Sequence, residues 1–243
     1  MVLISLMFIF ALGSLAGWII EFFYRSIHNG HLTNPGFLNG TYLPMYGFGI
    51  SFLYIISSMD MSIIIRVIIF GITTTVLELI TGLIFTNYFK IRLWDYSKEL
   101  LNFKGQICLR FSLYWTVLSL LFYLMIYPHM ESFVNILEES YLAYISLGFY
   151  YGLITMDIYE SFSLAVKIRK AVMEFNKKYL TGLRIDMRDF KMTVRTYLKK
   201  GRKVNSVERF FVPFTRLSNM ELLDRFNNEL LQKMKKKVHF NKK

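Results

Sequence analysis

The chain alternates long apolar runs with short polar connections. Crossing about 30 Å of hydrocarbon takes roughly 20 residues, and four runs reach that length: Val2 to Tyr24, Met61 to Phe85, Leu109 to Tyr127 and Tyr141 to Ala165. A fifth run, Tyr42 to Ser58, is shorter and contains Pro44, Gly47 and Gly49. The pattern predicts an all-α polytopic membrane protein with about five transmembrane helices. For the fifth run, a re-entrant or half-spanning element is the alternative.

The basic residues of the connections predict an orientation. The connection after Tyr24 carries Arg25, and the one after Phe85 carries Lys90, Arg92, Lys98, Lys104 and Arg110. The connections around Asp60 and Glu131 carry no Lys or Arg. Because short cytoplasmic loops retain Lys and Arg, five spans place the N-terminus outside and the C-terminal tail inside the cell.

Charge divides the chain into a nearly neutral body and a basic tail. Residues 167–243 carry 22 Lys and Arg against 7 Asp and Glu, a net charge of +15, whereas residues 1–166 carry 7 against 10, a net charge of −3. The whole chain has 54% hydrophobic residues and a mean hydropathy of +0.37, which is too apolar for a water-soluble protein. We therefore predict a transmembrane domain over 1–166 and a cytoplasmic tail over 167–243, in the cell membrane.

The tail has helical periodicity. Apolar residues recur at steps of three and four from Ile168 to Tyr197, and a second helix begins at the capping box Ser218 to Glu221. The two apolar stripes can pack together as a hairpin, or the basic helices can bind anionic lipid or a partner protein. Nucleic acid is a less favoured partner, because the tail is attached to a membrane.

Two Gly-xxx-Gly pairs lie inside predicted spans, Gly13 with Gly17 and Gly148 with Gly152. Small residues one turn apart let helix backbones approach closely. We expect intramolecular packing, with a homo-oligomer seam as the alternative.

Four carboxylates lie in predicted spans, where a charge costs about 2.5 to 3.5 kcal/mol on insertion scales: Glu21, Glu78, Asp157 and Glu160. All four fall in the predicted cytoplasmic half, where Arg25, Arg92 and Arg110 enter from the connections. One hypothesis is a polar vestibule open to the cytoplasm. The alternative is structural ion pairing, such as Glu21 with Arg25 one turn on. Glu78 has no basic residue three or four positions away, which favours a functional role for it.

No familiar catalytic or nucleotide-binding motif is present. The sequence lacks GxxxxGK[ST], HExxH and GxSxG, and His28 and His31 flank Gly30 in a region of irregular backbone. We expect no metal, no cofactor and no enzymatic activity. An intramembrane enzyme using Glu21, Glu78 or Asp95 is the least favoured alternative.

Two connecting segments have unusual composition and are predicted to meet at the cytoplasmic face. Residues 34–49 combine glycines, prolines and amides, which suits a structured turn with exposed backbone groups. Residues 92–110 include the aromatic anchors Trp94 and Tyr96, and Asp95 is placed to cap a turn or to pair with Arg92. The candidate binding residues of these segments are Asn34, Gly36, Phe37, Asn39, Gly40, Pro44, Tyr46, Gly47, Gly49, Trp94, Tyr96, Asn102 and Gly105.

These segments resemble the signature of a bacterial membrane family named "putative ABC transporter permease, type IV", also called CmpB-like. The similarity covers roughly residues 5 to 155 and includes Gly17, Trp18 and Glu21. The matching positions are Asn34, Gly36, Phe37, Leu38, Gly40, Pro44, Tyr46 to Gly49, Trp94 to Ser97, Asn102, Gly105 and Ile107 to Leu109.

The resemblance implies a transport permease served by an ATPase on a separate chain. Pro35 and Gln106 stand where the family pattern has arginines, and Thr41 replaces a proline, so any anion binding by those arginines would be lost or changed here. A non-transporting membrane scaffold or regulator, acting through its basic tail, is the alternative function. The substrate is not predicted.

Overall fold

The computed structural model describes residues 2–30, 32–179 and 185–186. The predicted tail helices beyond Tyr179 lie outside the described residues. The described part is helical apart from a two-residue strand pair and the connecting loops. Its elements are α1 (Val2–Asn29), α2 (Pro44–Ser57), α3 (Ile63–Leu83), β1 (Ile91–Arg92), α4 (Leu109–Leu121), α5 (Tyr127–Glu138), α6 (Tyr141–Tyr179) and β2 (Ile185–Asp186).

Among the residues that the structure describes, three helical stretches are long and apolar enough to cross a membrane: Leu3–His28, Ile63–Phe89 and Leu109–Glu138. Helix α2 has 14 residues, which gives about 21 Å at 1.5 Å per residue, less than the hydrocarbon thickness. Helix α6 is less apolar because it carries several tyrosines and Asp157 between Tyr141 and Tyr159. The number of spans and their orientation stay predictions.

Two π-helical segments interrupt the long stretches. One, Ile84–Phe89, continues α3, and the other, Phe122–Ile126, joins α4 to α5. Pro128 follows the second at the start of α5, and π-bulges and prolines are ordinary causes of helix kinks. The segment with Glu131 and Glu138, expected to be an outer loop, is helical instead.

Helix α5 buries its apolar face on the bundle. Met130 and Val134 are buried in one core cluster with Ile9 of α1, Leu53 of α2 and Phe70 of α3. These positions lie toward the N-terminal ends of α1 and α3 and the C-terminal end of α2, so α5 covers one end of the bundle. Burial of this face explains why an acidic segment remains helical.

The first Gly-xxx-Gly pair packs within the molecule, as predicted. A Cβ added at Gly13 would lie 2.9 Å from Ile50 Cβ, and one added at Gly17 would lie 2.3 Å from Tyr46 Cγ. Gly148 and Gly152 behave differently, because an added Cβ at either would meet no atom within 4 Å in the described part of the chain.

The chain divides into two compact units, Met1–Leu83 with Asp95–Ile158, and Ile84–Trp94 with Tyr159–Lys243. In the described part of the second unit, Phe89 and Phe162 pack with their rings 5.0 Å apart. There, β1 and β2 pair in parallel, with Ile91 opposite Ile185 and Arg92 opposite Asp186. The predicted domain boundary at residue 167 stays a prediction.

Candidate functional site

The loop 34–43 folds back along α1 and is organised by Asn34. The Asn34 Oδ1 atom accepts hydrogen bonds from Trp18 Nε1 at 3.0 Å and from the Gly36 amide at 3.1 Å. At the end of the loop, the Leu43 amide donates to the Ser14 carbonyl at 2.9 Å. Ser14 lies about 22 Å before the Asn29 end of α1 at 1.5 Å per residue. Irregular backbone therefore precedes the short helix α2 at the depth of the spans, which is tolerated where protein satisfies its polar groups.

Asp157 of α6 holds this loop in place. Its Oδ1 atom accepts from the Asn39 amide and from Asn39 Nδ2, both at 3.2 Å. Its Oδ2 atom accepts from the Gly40 amide and from the Tyr42 hydroxyl, both at 2.7 Å. The side chain is fully buried. Hydrogen bonds to an ionised acceptor are stronger than neutral ones, so four donors compensate for the burial of this carboxylate.

The sequence identifies Asp157 only as one of four carboxylates in the predicted spans and does not predict its role in holding the loop. A usable signal was present. Like Glu78, Asp157 has no basic residue three or four positions away on its helix, so a partner had to come from elsewhere in the fold.

Glu21 forms the ion pair that the sequence suggested. Its Oε1 atom lies 2.8 Å from Arg25 Nε, and its Oε2 atom accepts from the Tyr46 hydroxyl at 3.3 Å. Gly17 lets the Tyr46 ring approach α1 closely enough for this contact. Tyr46 also packs edge-on against Trp115, with the ring centroids 5.6 Å apart.

Glu78 is buried with only part of its hydrogen-bonding capacity used. The side chain is 3% exposed, and its Oε1 atom accepts from the Tyr96 hydroxyl at 3.0 Å. Within the described residues, Glu78 Oε2 and Trp115 Nε1 are buried without a hydrogen bond of regular geometry, but the Trp115 indole lies close enough to the carboxylate to be a second neutral donor. A buried carboxylate in this state is unusual, and it marks Glu78 as the chemically distinctive group of the cluster.

The segment 95–107 brings Tyr96 to Glu78. Asp95 caps a turn by accepting from the Ser97 amide at 3.0 Å, which is one of the two roles expected for it. The Tyr96 amide donates to the Gly105 carbonyl at 2.9 Å, and Gly105 has a φ of +70°, which glycine adopts without strain. Burial raises the pKa of the Tyr96 phenol, and the Glu78 carboxylate raises it further, so Tyr96 remains a hydrogen-bond donor.

Gln106 lies beside the same helix, one turn beyond Glu78. It is buried, and a Cβ on Gly82 would lie 2.3 Å from its Oε1 atom. The side chain at position 106 therefore contacts α3 next to Glu78. A longer basic residue at this position would have its charge close to that carboxylate.

Only some of the predicted residues come together. Glu21, Tyr46, Glu78 and Tyr96 form one polar cluster, because Glu21 also lies within electrostatic reach of Tyr96. This cluster joins the two segments that were predicted to meet. Arg110 is directed elsewhere, with its Nη1 atom 3.7 Å from Glu99 Oε2.

The remaining candidates have other placements. Arg92 and Trp94 belong to the second unit. Asn102 donates to the Ser97 and Glu99 carbonyls and accepts from the Gly105 amide. The other motif residues lie in the loop 34–43 or in the first turns of α2: Phe37, Pro44, Gly47 and Gly49.

The fold and the cluster define a helical membrane protein with irregular loops packed against its apolar helices. A family model described as "Putative ABC-transporter type IV" matches residues 8–162, and the chain belongs to this family. The match includes both loops, the Glu21 and Glu78 cluster and Asp157. No curated protein and no solved structure matches the chain.

Proposed function

We propose that this chain is the permease-like membrane subunit of a transport system in the cell membrane, driven by an ATPase on a separate chain. The family match supports a transporter component. The sequence has no phosphate-binding GxxxxGK[ST] loop, so we assign ATP hydrolysis to the partner and no catalytic step to this chain.

The observation that carries this proposal is the state of Glu78. A carboxylate that only fixed helix packing would be expected to have a charged partner or a full set of donors. Glu78 instead faces two neutral donors, the Tyr96 hydroxyl at 3.0 Å and the Trp115 indole without regular hydrogen-bond geometry, and forms no ion pair within the described residues. Ionisable groups inside spans are costly and are typical of substrate and ion pathways, so we assign Glu78 and Glu21 to the polar lining of such a pathway.

The loops 34–43 and 95–107 are the proposed contact surface for the ATPase. The first loop contacts Trp18 through Asn34 and Asp157 through Tyr42, and it leads directly into the helix that carries Tyr46 of the polar cluster. The second loop contacts Glu78 through Tyr96. Each also presents exposed positions, Thr41 in the first loop and Ser97 in the second. Movement of either loop would therefore be transmitted to the groups that surround Glu21 and Glu78.

Two further partners belong to the proposal. Three span-capable helices in the described residues are few for a complete pathway, so we propose a homo-oligomer. The net charge of +15 over residues 167–243 favours contact of the tail with anionic lipid headgroups.

Site-specific photocrosslinking tests the proposal. A photoreactive phenylalanine analogue is placed at Thr41 or Ser97 in the full chain, in its native cells, and the adducts are identified by mass spectrometry. We expect both positions to capture one protein that binds ATP. Ser132, which is exposed on α5, is the control and should not capture it.

Adducts without an ATP-binding protein would contradict the transport proposal. They would favour the alternative of a scaffold or regulator, particularly if the captured proteins are unrelated to nucleotide hydrolysis. Capture of the same ATP-binding protein from Ser132 would show that the contact is not specific to the two loops.

A further inference from the structure

The segment 97–104, here called the loop tip, exposes large apolar side chains. Leu100 is 85% exposed, Leu101 is 77% exposed and Phe103 is 49% exposed. The tip lies between the span-capable stretches Ile63–Phe89 and Leu109–Glu138 rather than within either. Exposed apolar side chains are expected on the lipid-facing side of a span. In a connecting loop they indicate a surface that lipid or another molecule covers.

The loop tip is fixed in shape. Asn102 Nδ2 donates to the Glu99 carbonyl at 2.9 Å, and Asn102 Oδ1 accepts from the Gly105 amide at 3.2 Å. Leu101 and Lys104 have φ angles of 52° and 53°, which side-chain-bearing residues rarely adopt and which persist where surrounding contacts enforce them. The leucines are therefore held outward by the fold of the loop.

The loop tip lies beside the entry of α4 into its apolar stretch. Glu99, next to Leu100, lies 3.7 Å from Arg110, the second residue of α4. Tyr96, just before the tip, reaches Glu78 of α3. These contacts hold the tip beside two span-capable helices and outside their apolar stretches.

The charge around the exposed apolar residues is positive. Lys98 and Lys104 are exposed, and Lys104 Nζ lies 5.3 Å from the centre of the Phe103 ring. Both acidic residues beside the tip are engaged, because Glu99 faces Arg110 and Asp95 accepts hydrogen bonds from Ser97. Basic residues surrounding exposed leucine and phenylalanine are typical of segments that bind the surface of an anionic membrane.

We propose that the loop tip is an interfacial membrane anchor. Leu100, Leu101 and Phe103 insert at the boundary between headgroups and acyl chains of the adjacent leaflet, and Lys98 and Lys104 contact lipid phosphates. The anchor does not depend on the transport role. With the tip in lipid, an ATPase contacts the loop 34–43 and the part of 95–107 outside the inserted side chains.

Spin-label depth measurements on the full chain test this anchor. The native thiol, buried Cys108, is replaced by alanine, and a nitroxide is attached at Leu101→Cys in vesicles of phosphatidylcholine with phosphatidylglycerol. We expect collisions with oxygen to exceed those with a water-soluble nickel chelate at least twofold. A nitroxide at Ser58→Cys, an exposed position in the connection between α2 and α3, is the aqueous reference and should show the opposite order. A nitroxide at Leu100→Cys repeats the measurement independently if the first variant folds poorly.

A second experiment tests the contribution of the two lysines to membrane binding. Replacing Lys98 and Lys104 by glutamine should move the Leu101 nitroxide toward the aqueous reference in anionic vesicles and leave it unchanged in pure phosphatidylcholine. Nickel accessibility equal to that of Ser58 in both lipids would overturn the anchor. Low accessibility to both reagents would also overturn it, because a protein surface would then cover the tip. A depth independent of both lysines and lipid charge would overturn the anionic assignment.

Discussion

Tyr42 donates its hydroxyl hydrogen bond to Asp157 at 2.7 Å, in a buried contact between residues 115 positions apart in the sequence. The same carboxylate also accepts hydrogen bonds from two consecutive backbone amides of the loop, those of Asn39 and Gly40. The conformation of the loop 34–43 thus depends on a residue of α6. Helix α6, which carries Asp157, continues to Tyr179.

Removing the Asp157 carboxylate should destabilise the fold and release the loop. Asp157→Ala leaves buried donors without an acceptor, so we expect a loss of at least about 3 kcal/mol, given roughly 1.5 to 3 kcal/mol for one hydrogen bond to a charged group. Thermal unfolding in detergent measures the loss. A cysteine at exposed Thr41 should react faster with a thiol reagent in this variant.

Two substitutions serve as controls for Asp157→Ala. Tyr42→Phe removes one of the four donors and should cost about 1.5 to 3 kcal/mol, less than Asp157→Ala. Asp95→Asn alters a carboxylate that caps an exposed turn and should not change the reactivity at Thr41. Equal reactivity of Thr41 in the wild type and Asp157→Ala would show that Asp157 does not hold the loop.

Much of the helical framework was predictable from hydrophobicity. The apolar runs beginning at Val2, Leu109 and Tyr141 coincide with the starts of α1, α4 and α6, because burial in lipid requires long apolar segments whatever their neighbours are. The ends were less predictable. Helix α1 continues to Asn29 and α6 to Tyr179, since polar residues can extend a helix beyond the hydrocarbon.

The site was predictable only where partners are close in sequence. The pair of Glu21 and Arg25 follows from helical spacing, and Asp95 capping its turn follows from local backbone geometry. The contacts of Asp157 with the loop, and of Tyr96 with Glu78, depend on tertiary packing. Composition identified the two loops as unusual but could not indicate which carboxylate each one contacts.

The two Gly-xxx-Gly pairs provide a matched comparison. Gly17→Ala places a methyl group 2.3 Å from the Tyr46 ring, and overpacking of this kind costs about 1 to 3 kcal/mol. Gly148→Ala meets no described atom within 4 Å and should leave the unfolding temperature of the detergent-solubilised monomer nearly unchanged. A Gly17→Ala protein as stable as the wild type would contradict the close packing of Tyr46 on α1.

Glu78→Gln separates a structural role from a functional one. Glutamine keeps an oxygen that can accept from Tyr96 and removes the charge, so we expect a stability change below about 1.5 kcal/mol. The stimulation of ATP hydrolysis by the proposed partner should be lost. Tyr96→Phe is the control that removes the hydrogen bond and keeps the carboxylate. A loss of several kcal/mol in Glu78→Gln would instead indicate a buried charge partner.

Cysteine labelling tests the predicted orientation. Single cysteines at Ser58 and Ser132 should react with a membrane-impermeant thiol reagent added to whole cells, because their surroundings lack Lys and Arg. Cysteines at Thr41, Ser97 and Ser206 should react only after the membrane is permeabilised. Ser206 lies outside the described residues, and its placement follows from the charge pattern alone. Labelling of Thr41 in intact cells would contradict the five-span arrangement.

ATP hydrolysis by the captured partner tests the central claim most directly. The full chain and the ATP-binding protein identified by crosslinking are reconstituted together in vesicles, and the hydrolysis rate is compared with that of the partner alone. We predict stimulation by the wild-type chain and by Glu131→Gln, which changes an exposed carboxylate of α5. We predict loss of stimulation in Glu78→Gln despite unchanged binding of the partner. An unstimulated partner, or equal stimulation by Glu78→Gln, would contradict the assignment of this chain as a transport subunit with Glu78 in its pathway.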